Sequence, residues 1–146
     1  MATPQSFKNH TRFDPAFHFF VMPVLLLNFL YMIYRCYKHW PEEMVLHLWW
    51  IVLALALFVL VGLARSYALK DQDRIIRLEE QLRLAALVPS SDLPQLQSLT
   101  TKQLIALRFA SDAELPGLAL RAATHNLDQK QIKQAITVWR PDNERV

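Results

Sequence analysis

Residues 63–87 read LARSYALKDQDRIIRLEEQLRLAAL. A long apolar run ends where this charged stretch begins, and no glycine or proline lies within it. A 3-4 spacing picks out Val61, Ala64, Ala68, Asp71, Ile75, Leu78, Leu82 and Ala85. That pattern is good from Ile75 to Ala85 and weak around Asp71. Asp73–Arg77 and Glu79–Arg83 are i,i+4 pairs in the favourable order, acid first. The spacing therefore predicts one helix from about Met44 to Val88, ended by Pro89. At 1.5 Å per residue it would be on the order of 65 Å long. Two uses fit its apolar stripe: packing on the chain's own C-terminal residues, or a short parallel coiled coil between copies. Lying flat on lipid fits less well, because the polar face mixes both signs.

Upstream, Met44–Ala64 reads MVLHLWWIVLALALFVLVGLA, 21 residues without a formal charge, and Ala16–Tyr34 is 19 residues, also uncharged. A bilayer core of ~30 Å takes about 20 helical residues, so each is long enough to cross. The alternative, a pair of buried core helices, needs covering elements that 146 residues do not supply. Tyr34 and Arg35 offer no small-x-small cleavage site, so the first span is expected to be retained. Asp14-Pro15 marks the start of span one. Pro41 with Glu42 and Glu43 marks the start of span two. Pro23 is expected to kink span one. Trp40, Trp49, Trp50, Tyr31 and Tyr34 form an interfacial belt. Basic residues set the direction: Arg65, Lys70, Arg74, Arg77 and Arg83, with Lys8 and Arg12, outnumber Arg35 and Lys38 of the turn by seven to two. Both termini are expected to be cytoplasmic, with a short outer turn from Arg35 to Glu43. In a bacterium the membrane would be the inner one.

The totals narrow the function. Residues 65–87 carry five basic and four acidic side chains, and the chain from Ser90 carries seven and six, so neither has the basic footprint of nucleic-acid binding. Two glycines leave no Gly-rich phosphate loop. The single Cys36 excludes an internal disulfide and a Cys-based zinc finger. Neither Ser66 nor Cys36 has a base and orienting acid nearby in sequence, so nucleophilic catalysis and a small-molecule substrate have no support.

Beyond a six-residue linker, Pro89–Pro94, three helix starts are legible. Thr100–Gln103 is a capping-box pattern before TKQLIALRFA. Ser111–Glu114 is another before LPGLALRAATH, although Pro116 and Gly117 allow a later start near Leu115. Asp128–Gln131 opens QIKQAITVW, which Pro141 ends. Leu104, Ile105, Leu107, Leu115, Leu118, Leu120, Ile132, Ile136 and Trp139 can form one small core. Such a unit is marginal alone, so it is expected to lean on the long helix, on another copy, or on a partner.

Site candidates are few. His39, Glu43 and His47 in the outer turn could bind a divalent metal, but they match no known ligand spacing, and glutamates also suit a helix N-terminus. Haem ligation would need histidines facing each other at one depth, which His18 and His47 do not offer. Asn28, in mid-span, is expected to hydrogen-bond across helices. Ile75, Leu78 and Leu82 are the expected stalk contacts. Arg65, Lys70, Arg74 and Arg77 are the candidates for anionic headgroups, against plain solvation beside neighbouring acids.

The segments FKNHTRFDPAFHFF, RSYALKDQDRIIRLEEQLR, LTTKQLIALRFASDAELPGL and IKQAITVWRPD together resemble a family of small bacterial two-span proteins of unknown function. The resemblance covers nearly the whole chain. It implies an intrinsic membrane protein and nothing about catalysis. The expected fold is an all-α membrane protein divided into an N-terminal tail (1–15), a two-helix transmembrane hairpin (16–64), a cytoplasmic amphipathic helix continuing the second span (65–88), and a linker with a small C-terminal helical unit (89–146). The expected role is a non-enzymatic oligomeric scaffold or accessory subunit, partnered by the lipid bilayer and by further copies or a membrane complex. The rival is a metal- or haem-linked redox subunit using the outer turn.

Overall fold

The computed structural model describes residues 6–7 and 14–141. Lys8 and Arg12, which entered the charge count, lie outside the described residues. The chain divides into two compact units, one covering Arg12–Ala68 and the other taking in Leu69–Val146. Among the described residues the regular structure is helical: α1 (Met22–Lys38), α2 (Met44–Leu87), α3 (Leu93–Leu96), α4 (Thr101–Leu107), α5 (Leu115–Thr124) and α6 (Gln129–Ala135). A π-helical turn, Ala16–Val21, precedes α1.

In the first unit, Asp14 does the capping expected of it. Its Oδ1 accepts the Phe17 N–H at 3.2 Å, and its carbonyl accepts the His18 N–H at 3.0 Å. Pro23 cannot donate to the carbonyl four residues back and its ring crowds that group. The wide turn just before it, with the Met22 N–H reaching Phe17 O, takes up the misfit. Arg35 and Lys38 fall in the last turn of α1, where cations suit the negative helix end. The His39–Glu43 turn holds a cis Trp40–Pro41 bond, and α2 opens only at Met44. Pro41 therefore shapes the turn and does not occupy the first helical position.

The helix from Ala16 to Lys38 and α2 are both long and apolar enough to cross a membrane. In their most apolar windows only 0% and 11% of the residues are buried inside the chain. The core helix of a water-soluble protein would show the opposite, since a helix apolar all round needs cover.

α2 runs unbroken for 44 residues, as the spacing predicted. The second unit takes the helix from Leu69 onward and adds α3 to α6. Its core joins Leu84 of α2 and Val88 just after it to Leu96, Leu99, Leu104, Leu107, Phe109, Leu115, Leu118, Ile132 and Ile136. Four alanines are wholly buried among them: Ala106 of α4 and Ala119 and Ala122 of α5, whose small size suits close helix packing, and Ala110 in the loop after α4. Leu120 and Trp139 pack at the edge, while Ile105 is only half-buried. The unit leans on α2 of its own chain, the first of the three supports considered.

Two of the short helices start where local chemistry says. Thr100 and Gln103 close a full capping box, and so do Asp128 and Gln131. α5 starts at Leu115 with Pro116 in its first turn, so the Ser111–Glu114 pattern is not a capping box. Instead, Glu114 accepts the N–H groups of Thr137 and Val138 at 3.3 and 3.2 Å. α4 ends at Leu107 and α6 at Ala135, both sooner than expected. Arg108 and Phe109 leave α4 as a turn, Ile136 leaves α6 in an extended conformation, and Ala110 meets Trp139 in one antiparallel bridge. β-branched Ile136, Thr137 and Val138 favour that conformation over a further helical turn. The linker, too, holds a turn of helix, α3, with Leu96 and Leu99 in the core.

Leu107 is fully buried and Ile105 is not. Leu107→Ala should cost about 2–5 kcal/mol by emptying core volume. Ile105→Ala should cost less than half as much in the same thermal unfolding of the full chain in detergent. Equal losses would show that the core does not centre on Leu107.

Candidate interaction site

Below Leu69, α2 carries two different faces. Ile76, Glu80, Leu84 and Val88 follow one another at four-residue steps and are all buried. The lower end of this face, Leu84 and Val88, joins the core of the C-terminal unit. Arg83 fastens it. Its Nε donates to Asp112 Oδ1 at 2.8 Å, one terminal nitrogen donates to the Ala110 carbonyl at 2.7 Å, and the other to Glu80 Oε2 at 3.2 Å. The Arg83 side chain is only 11% exposed. One planar guanidinium thus ties α2 to the loop after α4, a use that suits a rigid fork of donors. The same loop is held from the other side, where the Arg140 N–H donates to Phe109 O at 2.8 Å and the Ser111 N–H to Val138 O at 3.2 Å.

Glu80 is buried at the centre of that face. Burial pushes its carboxyl above the ordinary glutamate range, and the adjacent Arg83 guanidinium pulls partly against that rise. Of the two i,i+4 pairs read from the sequence, Glu79–Arg83 gives way to an i,i+3 pair, with Arg83 turned to Glu80; a further i,i+3 pair sets Arg74 4.0 Å from Asp71.

Ile75, Leu78 and Leu82 lie on the other face, 56%, 61% and 73% exposed. At 100° per residue their mean direction is roughly opposite that of Ile76, Glu80 and Leu84. The residues expected to pack are therefore those the chain leaves open, and the covered face is one the sequence reading did not single out. Its signal was the spacing Ile76, Glu80, Leu84, Val88, interrupted by one carboxylate.

The basic residues separate as well. Arg65 is not free for headgroups in the way expected. Its guanidinium lies 4.0 Å from Asp14 and stacks over the Phe17 ring at 4.6 Å, inside the first unit. Charge pairing and ring stacking both favour this over open solvent. Lys70, Arg74 and Arg77 remain exposed.

At the turn between α1 and α2, the rings of His39 and His47 stack with centroids 5.7 Å apart. His47 is buried, with Nδ1 at 2.9 Å from the Glu43 carbonyl and Nε2 at 3.8 Å from the Glu43 carboxylate. Stacked rings hold their nitrogens side by side and do not aim them at one point. Among the described residues no three His, Cys, Asp or Glu side chains are grouped to hold a metal ion. Asn28 is half-buried on α1 and joins neither cluster.

These features define an all-helical protein with two helices able to span a membrane, the second continuing into a small helical unit. The chain belongs to DUF6526, a family of unknown function, which matches residues 1–146. No curated protein and no solved structure matches it.

Because the folded Glu80 carboxyl holds its proton more tightly than the unfolded one, its contribution favours folding most below the unfolded carboxylate range. That contribution is lost as pH rises through the folded value. Glu80→Gln should therefore gain stability relative to the wild type as pH is raised from acid to neutral, read as the difference in melting temperature of the full chain. A difference independent of pH would remove the role given to burial.

Proposed function

We propose that this protein is a non-enzymatic integral membrane protein of a bacterial inner membrane, acting as a scaffold or accessory subunit that presents a cytoplasmic helical face to a protein partner. The observation that carries the reading is the exposure of both long apolar helices, whose side chains find almost no cover within the chain. Lipid is the solvent that such surfaces require. Contacts at both ends support a hairpin. Asp14 meets Arg65 at one end of the two spans, and His39 stacks on His47 at the other. The greater number of Lys and Arg after α2 leaves the lipid supports a cytoplasmic location for everything beyond Ala64. Lys70 and Arg77 follow that exit and suit anionic headgroups. The balanced charge of the C-terminal unit and its filled core favour an interaction role over chemistry.

The test is topology. The chain should stay in the membrane pellet after carbonate washing. A C-terminal tag should survive protease added outside spheroplasts. Cys36 is a poor reporter because it is buried. A Glu42→Cys variant in a Cys36→Ala background places the thiol on an exposed turn residue and should label from outside. A chain released by carbonate would sink the membrane reading. Loss of the tag, or Glu42→Cys labelled only after lysis, would reverse the direction.

A further inference from the structure

We propose that the open face of α2 pairs with the same face of a second copy, as a parallel, in-register two-helix seam running from Ile75 to Ala85. This names the partner of the face described above and rests on the membrane reading for the alignment of the two helices.

The seam positions follow from spacing. With Ile75 and Leu82 at a and Leu78 and Ala85 at d, the stripe is a coiled-coil edge with an aliphatic side chain at every site. Its leucines and isoleucine stand more than half exposed. The C-terminal unit cannot fold over to cover them, because it is already seated on the opposite face through Leu84, Val88 and Arg83. A contiguous apolar patch beside such a fixed domain marks a contact site.

Flanking charge selects the occupant. On this register Arg74 falls at g and Glu79 at e of the next heptad. In a parallel pair those positions face each other across the seam, so Arg74 of each copy meets Glu79 of the other, twice by symmetry. Antiparallel pairing would set g against g and e against e, like charge facing like. Among the described residues Arg74 pairs with Asp71, at 4.0 Å with both side chains over 70% exposed, a weak contact for a solvated charge. The other flanking positions, Gln72, Gln81 and Ala86, are uncharged and repel nothing. Asp71, at the preceding d position, ends the seam on the membrane side, since two buried carboxylates there would oppose pairing.

Two heptads are short for association from dilute solution. Two copies anchored with the same topology have their helices already parallel, in register and confined to a plane, which raises the effective concentration of one for the other. The pair is therefore expected to be reversible and to depend on the anchor.

The test uses the full chain in native membranes. A Leu78→Cys variant in the Cys36→Ala background should form a disulfide-linked dimer under mild oxidation, and an Arg77→Cys variant, off the seam, should not. In nanodiscs, Arg74→Glu and Glu79→Arg should each weaken the dimer roughly fivefold, and the double variant should return to within about twofold of the wild type. Rescue would exclude a headgroup contact as the explanation for Arg74, since lipid cannot be restored by changing Glu79. Carbonate-resistant protein that gives no Leu78→Cys cross-link, or charge reversals without rescue, would overturn the pairing and leave the membrane reading standing. Release by carbonate would overturn both.

Discussion

The C-terminal unit exists because α2 gives it a wall. Its four helices are short, between four and ten residues each, and none would be stable by itself. Leu84 and Val88 complete their core, and the Arg83 guanidinium locks the loop after α4 against the same helix turn. From that one seat the remaining features follow. Glu80 is buried beside Arg83 because the unit closes over it, and the opposite side of α2 stays open because one small domain covers only one side.

Much of the architecture was readable in the residues. Two uncharged runs of membrane-spanning length, the absence of a helix breaker after Leu63, and Pro89 as a terminator together specify the two long helices. Asp14, Thr100 and Asp128 begin helical turns because a side-chain oxygen at those positions satisfies an otherwise unpaired N–H group. These are local effects, decided within four residues, and local effects are what a sequence displays directly.

What was less legible depends on residues far apart in the chain. Arg83 looks like the second member of a surface pair with Glu79, yet its partners Ala110 and Asp112 are 27 and 29 residues away. The early ends of α4 and α6 depend on the bridge between Ala110 and Trp139, which neither segment reveals alone. The 3-4 stripe was visible, but the question of which apolar face of α2 the domain would choose was not, because Ile76, Leu84 and Val88 form a second stripe diluted by Glu80. The candidate site was thus legible as a set of residues and not as a surface: the stripe proved open, and Arg65 turned to Asp14.

The four buried alanines have a further consequence. Ala106, Ala110, Ala119 and Ala122 are fully shielded from solvent, so a larger side chain there would have to be accommodated inside the core. Ordinarily the bulky residues of a small domain are thought to be its most constrained positions. In this unit the smallest side chains are as closed to enlargement as the bulky ones are to truncation, and their value lies in the bulk they lack.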